Sequence, residues 1–474
     1  MGSGLNFVLL FHFFSTMSST SDNSRIEGLV IWGMVLFFSG SILLFYWSKT
    51  HSRQRSHTLL KKEAADLGID KPPAQHPQID PLMCIGCGSC VRACPEGDVL
   101  GLVAGKATII NGLRCVGHGR CAAACPVEAI QVGLGDTRHR KDIPNTDGFG
   151  QTNIPGIYIA GELGGLALIR NAIKQGVMVA EAIATSLKPG DGQDALDIVI
   201  VGAGPAGLST ALAAKQKGYQ TLVLDQEKPG GTILQYPRKK LVLTQPVEIP
   251  GYGWLNREEY TKEELLEIWD HTISAQNIPL ELNQCLKAIT RSPEGFLVST
   301  ATQQYRTKRV VLALGRRGTP RKLGVPGEGR SKVMYKLLDA SHYQNEHLLV
   351  VGGGDSAVEA AIGLAQQPGN TVTISYRKPK FFRIKSKNQQ RFKDLLEAGR
   401  IQALFESDVT EIGLEGVRLQ TQSGDLYLPN HYVFVFAGGI PPFKLMEEIG
   451  IQFGAGEDKQ PEHTEASGRN HECA

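Results

Sequence analysis

The sequence has no excess of charge of either sign. Its 50 Lys and Arg residues against 47 Asp and Glu residues leave a net charge of +3 over 474 residues, which excludes the extended basic surface of a nucleic-acid-binding protein. The composition also lacks the marks of a disordered chain, because apolar residues make up 42% and charged residues 20%. The chain is therefore predicted to be globular, with room for about three domains.

Cysteine is almost absent outside one short stretch. Seven of the nine cysteines lie between Cys84 and Cys125, whereas a disulfide-stabilised secreted protein spreads its cysteines along the chain. Crowded thiols in a large chain indicate ligation of a metal or a cluster. Such thiols have to mature in a reducing compartment.

The first cysteine motif is Cys84-x2-Cys87-x2-Cys90-x3-Cys94-Pro95. This spacing resembles that of bacterial two-cluster ferredoxins, in which three thiolates of one loop bind one [4Fe-4S] cluster and the fourth serves the other cluster. A zinc site is the alternative, but zinc motifs usually consist of separated cysteine pairs. The motif therefore predicts iron–sulfur ligation.

The second cysteine motif departs from this pattern at one position. It reads Cys115-x2-His118-x2-Cys121-x3-Cys125-Pro126, with histidine where the second cysteine would stand. By the crossed arrangement, one cluster takes Cys84, Cys87, Cys90 and Cys125, and the other takes Cys94, Cys115, Cys121 and, in one alternative, His118. Imidazole ligation would raise the potential of that cluster, because a neutral ligand replaces a thiolate. Two alternatives stay open: a [3Fe-4S] cluster with His118 nearby, or a solvent-facing His118 beside a labile site.

A charge-free run of 19 residues, Leu29 to Trp47, is long enough to cross a bilayer as a helix. Residues 49–62 carry five Lys and Arg and no acid, while Arg25 is the single Lys or Arg before the run. The positive-inside rule then predicts a single-pass anchor in the inner membrane of a bacterium, with the N-terminus outside and the redox domains in the cytoplasm. No small-residue cleavage site follows the run, so an uncleaved signal anchor is expected.

The first of two glycine motifs is Gly202-x-Gly204-x-x-Gly207. It stands between a β-branched run and a helical pattern, and the next strand ends at Asp225, 18 residues after Gly207. In a dinucleotide fingerprint the glycines allow a tight turn and close approach of the pyrophosphate, the helix N-terminus faces the phosphates, and the acid binds ribose hydroxyls. The motif therefore predicts a dinucleotide site.

The second glycine motif is Gly352-x-Gly354-x-x-Ala357, again between a strand and a helical pattern. The strand after it ends without an acid, and residues 377–393 contain eight Lys and Arg but no Asp or Glu. Basic side chains hold a 2′-phosphate and a carboxylate would repel it, so NADPH is favoured over NADH. The candidate phosphate ligands are Arg377, Lys378 and Arg383. An ordinary solvated basic surface accounts for several of the others, such as Lys393.

The glycine motifs and two further segments resemble those of thioredoxin-reductase-type flavoproteins, in the FAD- and NAD(P)H-dependent pyridine nucleotide-disulfide oxidoreductase family. These segments are Ala313-Leu314-Gly315 and residues 325–328, and the second motif reads Gly-Gly-Gly-Asp-Ser-Ala over residues 352–357. The resemblance covers roughly residues 140–455. It implies FAD at the first motif, with Gly231, Thr232 and Gly315 beside the flavin, NADPH at the second motif, and a homodimer.

One departure from this family concerns its chemistry. Thioredoxin reductases carry Cys-x-x-Cys in the nicotinamide domain just before its glycine motif, but residues 334–346 of this chain contain no cysteine. Without a dithiol, no internal disulfide can accept electrons from the flavin. In this respect the chain is closer to the ferredoxin–NADP reductases that share the fold.

The other departure concerns chain order. In these flavoproteins a strand of the pattern T-x-x-P-G-I-Y-x-A-G-[DE] ends the FAD domain, whereas here it spans Thr152 to Glu162 and precedes the first glycine motif. A circular permutation is the simplest interpretation. The resemblance then implies that Gly161 and Glu162 lie near the ribityl chain. It also implies that residues 170–173, including Ala172, present amides at the start of a helix (168–184) to the flavin.

These motifs divide the chain into seven segments. They are an N-terminal segment with the transmembrane helix (1–48, helix 29–47), a basic and Pro-rich tether with little structure (49–80), a ferredoxin-like domain with two [4Fe-4S] clusters (81–132), the permuted FAD-domain element (140–186), an FAD-binding domain (195–332), an NAD(P)H-binding domain (333–440), and a return to the FAD domain followed by a disordered tail (441–474). The predicted fold class is α/β, with two Rossmann-type dinucleotide-binding domains and a small α+β ferredoxin domain.

The predicted function is that of a membrane-anchored oxidoreductase that passes electrons from NADPH through FAD and [4Fe-4S] clusters to an acceptor, or in reverse to NADP. A ferredoxin, a cytochrome, a quinone or a thiol protein would each fit as the redox partner. Flavin is needed because it accepts two electrons and releases them singly, while a cluster carries one; no catalytic acid or base is predicted. Two other functions stay open. One is a reductase of a thiol or disulfide partner, which the missing dithiol disfavours, and the other is a redox sensor or electron conduit without turnover.

Overall fold

A computed structural model of the chain describes residues 22–66, 72, 75–134, 140, 142–190, 195–238, 240–243, 245–257, 259–382 and 384–454. Its first element is the 45-residue helix α1 (Asp22–Asp66). The helix continues past the charge-free run because no Gly or Pro occurs between Gly40 and Gly68. The expectation of little structure from residue 49 onward is therefore wrong for residues 49–66.

Within the described residues, α1 is the one helix long and apolar enough to cross a membrane. Large apolar side chains from Leu29 to Trp47 are exposed along it, for example Leu36 at 69% and Phe37 at 70%. A core helix of a globular domain would bury such residues. The apolar half of α1 is thus not part of a protein core.

The cysteine region, residues 76–133, is a small α+β unit built from two antiparallel strand pairs, β1 with β4 and β2 with β3. Cys90 and Cys121 each lie in a short helix and are buried, with Val99, Leu100 and Ile130 in the same apolar cluster. The elements are β1 (His76–Ile79), α2 (Ser89–Ala93), β2 (Leu100–Val103), β3 (Lys106–Ile109), a 3₁₀ turn (Gly112–Arg114), α3 (Arg120–Ala123) and β4 (Ile130–Gly133).

The first large sheet has seven strands, in the order β12-β7-β6-β15-β14-β13, with β5 on the second half of β15. Strands β12, β7, β6, β15 and β5 run parallel, and β14 and β13 form an antiparallel extension. The strands are β5 (Ile157–Ile159), β6 (Leu196–Val201), β7 (Thr221–Leu224), β12 (Leu280–Glu281), β13 (Leu286–Ser292), β14 (Gly295–Thr300) and β15 (Gln304–Leu312). Between β7 and β12 lie the short strands β8 (Leu241–Leu243), β9 (Val247–Ile249), β10 (Gly253–Leu255) and β11 (Glu259–Thr261).

Three helices accompany this sheet: α4 (Ile169–Ser186), α5 (Pro205–Gln216) and α6 (Lys262–Ala275). Helices α4 and α5 pack so closely that a side chain at Gly176 would stand 2.3 Å from the Ala206 carbonyl oxygen. The segment that precedes the first glycine motif therefore contributes both a strand, β5, and a helix, α4, to the unit built around that motif. Helix α4 begins at residue 169 and ends at residue 186, close to the predicted bounds 168–184.

The second large sheet has five parallel strands in the order β17-β24-β18-β19-β20. Its strands are β17 (Val333–Met334), β18 (His347–Val351), β19 (Thr371–Tyr376), β20 (Ile401–Phe405) and β24 (Tyr432–Val435), and its helices are α7 (Asp355–Ala365) and α8 (Ser386–Glu397). A three-stranded antiparallel sheet joins it, with β21 (Asp408–Ile412), β22 (Gly416–Thr421) and β23 (Gly424–Pro429). Strands β16 (Thr319–Pro320) and β25 (Gly439–Ile440) pair between the two large sheets.

After β25 the chain returns to the first sheet through α9 (Phe443–Ile449). Met446 and Ile451 are buried in the same apolar cluster as Ile157 and Leu312. The described chain is thus mixed α/β, with two large sheets that each carry one glycine motif at the end of a parallel strand.

Candidate cofactor sites

The first glycine motif forms the turn between β6 and α5. Gly202 has φ +112°, and a side chain there would stand 2.4 Å from the Ala313 carbonyl oxygen. At Gly207 a side chain would stand 1.9 Å from the Gly202 carbonyl oxygen. Only glycine therefore fits these two positions, because the turn, β15 and α5 are in backbone contact.

Gly204 differs from its neighbours because the space beside it is open. A side chain there would meet only the Gly231 Cα atom, at the ordinary contact distance of 3.7 Å. Gly204 is also the N-cap of α5, so the N–H groups of Ala206 and Gly207 in the first turn lack partners within the helix. The turn is thus a cradle that suits the pyrophosphate of a dinucleotide.

Asp225 and the loop at Gly231 close the two sides of this cradle. The Asp225 carboxylate accepts a hydrogen bond from the Ala203 N–H at 2.6 Å and another from the Glu227 N–H at 2.8 Å. Burial raises the pKa of Asp225, although these donors oppose it. Gly231 and Thr232 begin a 3₁₀ turn, and the Gly230 N–H donates to the Ala203 carbonyl. Each carboxylate oxygen keeps a lone pair for a further donor such as a ribose hydroxyl.

The residues predicted from the displaced strand lie beside the same turn. A side chain at Gly161 would stand 2.9 Å from the Ala206 Cβ atom, and the Gly161 N–H donates to Gln175 Oε1 at 2.7 Å. Ala172 lies in the first turn of α4, whose N-cap Leu168 has φ +84°. The Ala172 N–H donates to the Leu168 carbonyl at 3.0 Å, so the expectation that this amide faces the flavin is wrong. The backbone angle of Leu168 is strained for a bulky residue, and such residues cluster at functional sites.

Glu162 is exposed to solvent, although protein atoms crowd around its carboxyl group. This environment raises the pKa of its carboxyl group, while the positive charges of Arg316 and Arg317 lower it. Burial raises the pKa of the nearby Tyr236 hydroxyl, and the charges of Glu162 and Arg317 also act on it. The sequence did not single out Tyr236 or Arg317, because no local pattern distinguishes them. Gly315, the last residue of the Ala-Leu-Gly motif, has open space beside it.

The second glycine motif forms the turn between β18 and α7. Gly352 has φ +142°, and a side chain there would stand 2.4 Å from the Phe436 carbonyl oxygen, while beside Gly354 the space is open. Ala357 is buried on the inner face of α7. The Tyr376 ring covers Gly353, where a side chain would stand 2.2 Å from it. Tyr376 is thus a second residue that the sequence motifs did not identify.

The predicted phosphate ligands lie after β19. Arg377 is exposed, Lys378 Nζ lies 5.3 Å from the centroid of the Phe382 ring, and Arg383 lies outside the described residues. Lys393 pairs with Glu397 on the exposed face of α8. Residues 377–393 contain no Asp or Glu, but Lys380 forms an ion pair with Glu63 of α1.

The cysteine thiols lie close enough to act on one another. Cys121, Cys84 and Cys87 all affect the pKa of Cys90, which burial raises to about 11. Cys94, Cys115 and Cys121 line one cavity, and burial raises the pKa of Cys115 to about 11. Such thiols are neutral when free and need bound cations to become thiolates, which is the situation that iron supplies. Cys125 follows α3 and packs in the same apolar cluster.

Among the described residues, no three His, Cys, Asp or Glu side chains converge on a single ion. A tetrahedral zinc site needs ligands that converge, whereas the thiolates of an iron–sulfur cluster bind different iron atoms. The expectation of iron–sulfur ligation rests on the sequence spacing of Cys84, Cys87, Cys90 and Cys94.

His118 and Glu96 line one small cavity together with Cys94, Cys115 and Cys121. The His118 side chain is 20% exposed, and its Nε2 atom lies 3.2 Å from Glu96 Oε1. Burial would raise the pKa of Glu96, but the hydrogen bond with His118 lowers it overall. A carboxylate that holds one ring nitrogen leaves the other free to face a metal, as in many metal-binding histidines.

The loop that carries His118 rests on the start of α4. Arg170 Nη2 donates to the His118 carbonyl oxygen at 3.2 Å. Asn171 Nδ2 donates to Gln75 Oε1 at 2.9 Å, and Gln75 Nε2 donates to the Gly117 carbonyl oxygen, also at 2.9 Å. The second cysteine motif and the helix predicted to face the flavin are therefore in direct contact.

Comparison with known proteins extends these observations. Residues 199–469, more than half of the chain, match the family described as pyridine nucleotide-disulphide oxidoreductase, and residues 76–126 match the 4Fe-4S dicluster domain. A ferredoxin–NADP reductase from Ignicoccus hospitalis is 29% identical over 264 residues, which cover 54% of this chain and 81% of that protein. A thioredoxin reductase from Listeria monocytogenes is 27% identical over 268 residues, 54% of this chain and 77% of that one. Among solved structures, the bacillithiol disulfide reductase of Staphylococcus aureus shares the fold, with a TM-score of 0.50 at 23% identity over 55% of this chain and 81% of its own.

Proposed function

The chain belongs to the pyridine nucleotide-disulphide oxidoreductase family, and from this premise we propose that it passes electrons from NADPH through FAD and two iron–sulfur clusters to an acceptor outside the chain. The family and the dicluster domain confirm the resemblance found in the motifs. The protein is thus a flavin-dependent NAD(P)H oxidoreductase with an iron–sulfur domain. The acceptor, the cluster types and the binding residues are part of the proposal.

The contact between the His118 loop and the start of α4 carries this proposal. Residues 170–173 are the ones expected at the flavin, and Arg170 and Asn171 hold the loop of the second cysteine motif through hydrogen bonds. A cluster held by Cys94, Cys115, Cys121 and His118 would then lie next to the flavin. Electrons could pass between the two cofactors without a dithiol, which residues 334–346 do not contain.

The chain's own residues bind and orient the cofactors in this proposal. Gly202, Gly204 and Gly207 admit the FAD pyrophosphate and Asp225 accepts a ribose hydroxyl. At the start of α4 the Arg170 N–H group faces the flavin ring, since the Asn171 and Ala172 N–H groups donate to the Leu168 carbonyl. Gly352 and Gly354 admit the NADPH pyrophosphate, with Arg377 and Lys378 at the 2′-phosphate. When bound, FAD accepts a hydride from NADPH and releases its two electrons singly to one-electron carriers.

We also propose that residues 140–186 are a circularly permuted part of the FAD-binding unit. The parallel pairing of β5 with β15 and the close packing of α4 on α5 support it. The return of α9 supports it as well, because Met446 of α9 lies in the same apolar cluster against which Ile154 packs.

Membrane anchoring is a further part of the proposal and is supported by the exposed apolar half of α1. The basic residues after Trp47 would then lie in the cytoplasm. A phosphatase reporter that is active only in the periplasm, fused after Lys62, should be inactive, and the same reporter fused before Leu29 should be active. The opposite pattern would reverse the orientation.

An anaerobic titration of the purified full chain with NADPH tests the electron path. Flavin and iron–sulfur absorbance should both bleach, and electron paramagnetic resonance should show reduced clusters. A Gly354→Val variant is the matched control, since it should retain flavin and clusters and respond to dithionite but not to NADPH. Flavin reduction without any cluster reduction in the parent protein would contradict the path.

A further inference from the structure

The part of α1 beyond the apolar run lies along the β2–β3 hairpin of the cysteine region. His57 Nδ1 accepts a hydrogen bond from the Leu102 N–H at 3.0 Å. Nearer its end, α1 buries Ala64 against Phe382, whose carbonyl accepts a hydrogen bond from Asn111 Nδ2 at 3.3 Å. The base of the hairpin thus lies near Ala64, and its tip, Ala104 and Gly105, points back along α1 toward Trp47.

The tip of the hairpin lies near the level of Trp47, the last residue of the apolar run. His57 is ten residues beyond Trp47, or about 15 Å along a helix. Val103 pairs with Lys106, so the turn at Ala104 and Gly105 lies two residues beyond Leu102, or about 7 Å back along a strand. The tip is therefore within roughly 8 Å of the plane where α1 would leave a bilayer.

The loop of the first cysteine motif sits on this tip. A side chain at Gly86 would stand 2.0 Å from the Gly105 carbonyl oxygen, and Lys106 Nζ donates to the Cys84 carbonyl at 2.6 Å. We call residues 82–87 the apolar loop, because its large side chains face solvent. Leu82 is 92% exposed, Met83 50% and Ile85 64%, and Cys87 is exposed beside them.

An exposed apolar patch such as this loop usually marks a binding surface. Because the loop lies near the level at which α1 would leave a bilayer, a membrane surface is the partner that we favour. Basic side chains that are exposed on the adjacent stretch of α1, Lys49, Arg53 and Arg55, would bind anionic headgroups at the same level. The apolar loop thus combines the features of an interfacial contact, with apolar side chains toward the lipid and positive charge at the rim.

From this placement we infer that the apolar loop contacts the bilayer interface and that the electron acceptor is a lipid-soluble quinone. The inference rests on the proposed function and names its substrate class. In the balanced reaction NADPH loses a hydride and becomes NADP⁺. The quinone gains two electrons and two protons, one proton derived from that hydride and one from water, and becomes a quinol.

The first test measures contact with lipid directly and does not depend on enzyme activity. The background is the full-length protein with Trp32→Phe and Trp47→Phe. The test variant adds Leu82→Trp, and the matched control adds Leu414→Trp. Leu414 is 77% exposed between β21 and β22. After reconstitution into vesicles with brominated acyl chains, the fluorescence of the tryptophan at position 82 should be quenched relative to unbrominated lipid. The tryptophan at position 414 should not be quenched. Equal quenching at the two positions would overturn the lipid contact.

The second test separates the acceptor from the electron path. Leu82→Asp should lower the rate of reduction of a long-chain quinone in vesicles severalfold, with iron content and NADPH-driven reduction of a water-soluble one-electron dye unchanged. Leu414→Asp should change neither rate. Unchanged quinone reduction in Leu82→Asp, with the dye activity intact, would overturn the inference and indicate a soluble acceptor. Absence of dye reduction in the parent protein would instead contradict the proposed function.

Discussion

Arg170 and His118 join the two redox units, because the Arg170 guanidinium donates from Nη2 to the His118 carbonyl oxygen at 3.2 Å. Removing a hydrogen bond from a charged donor costs about 1.5–3 kcal/mol. Arg170→Met keeps much of the aliphatic stem and removes the donors, so the His118 loop should shift away from α4. Since electron transfer slows steeply with distance, cluster reduction should slow severalfold in stopped-flow experiments with NADPH.

Flavin reduction by NADPH should keep its rate in Arg170→Met, because that step does not involve the cysteine region. Arg257→Met is the control, since Arg257 is an exposed arginine that pairs with Glu264 instead. Equal slowing of flavin and cluster reduction would indicate a general folding defect and would contradict the role assigned to the contact.

His118 gives a prediction about cluster potential. If the imidazole ligates the second cluster, His118→Cys should lower the potential of one cluster only, because a thiolate adds negative charge. His118→Ala should leave three thiolates and a three-iron signal in electron paramagnetic resonance. Redox titration and iron analysis check both variants. If both variants match the parent in potential and iron content, His118 is not a ligand.

Glu96 gives a separate prediction through the same ring. Its carboxylate lies 3.2 Å from His118 Nε2 and fixes the ring orientation. Loss of such a partner typically costs about 10–100-fold in metal affinity. Glu96→Gln should therefore lose iron from one cluster faster under a chelator, and Asp98→Asn, which changes an exposed carboxylate, should not.

Short-range patterns made much of this molecule predictable. The two glycine motifs and the cysteine spacings identified the family and the dicluster domain, because each depends on residues within a few positions of one another. The start of α4 was placed within one residue for the same reason. The apolar run of α1 is similarly local.

Long-range contacts could not be predicted in this way. The prolines at 72, 73, 77 and 81 suggested an unstructured tether from residue 49. They lie beyond the end of α1, however, and do not prevent residues 49–66 from being helical. Lys380 has no acid near it in sequence, and its partner Glu63 is 317 residues away. The contact of Arg170 with His118 likewise depends on tertiary packing, which no local motif encodes.

The basic segment after β19 gives a prediction about coenzyme preference. Arg377→Ala should raise the KM for NADPH far more than the KM for NADH, because only NADPH carries the 2′-phosphate. Lys393→Ala should change neither KM, since Lys393 pairs with Glu397 on a solvated helix face. Steady-state kinetics with both coenzymes check this, and equal effects of Arg377→Ala on the two KM values would contradict the phosphate role.

Valine substitutions at Gly204 and Gly354 should each remove a different cofactor, FAD at the first turn and NADPH at the second. Beside each of them the space is open, so a valine side chain fits the protein and occupies the space that we assign to a pyrophosphate. Gly204→Val should therefore fold but purify without flavin, while Gly354→Val should keep its flavin and lose NADPH-driven reduction. Gly207→Val should instead fail to fold, because its side chain would stand 1.9 Å from a backbone oxygen. Flavin absorbance, iron content and circular dichroism measure the three outcomes. Full flavin content in Gly204→Val would show that FAD is not bound at this turn.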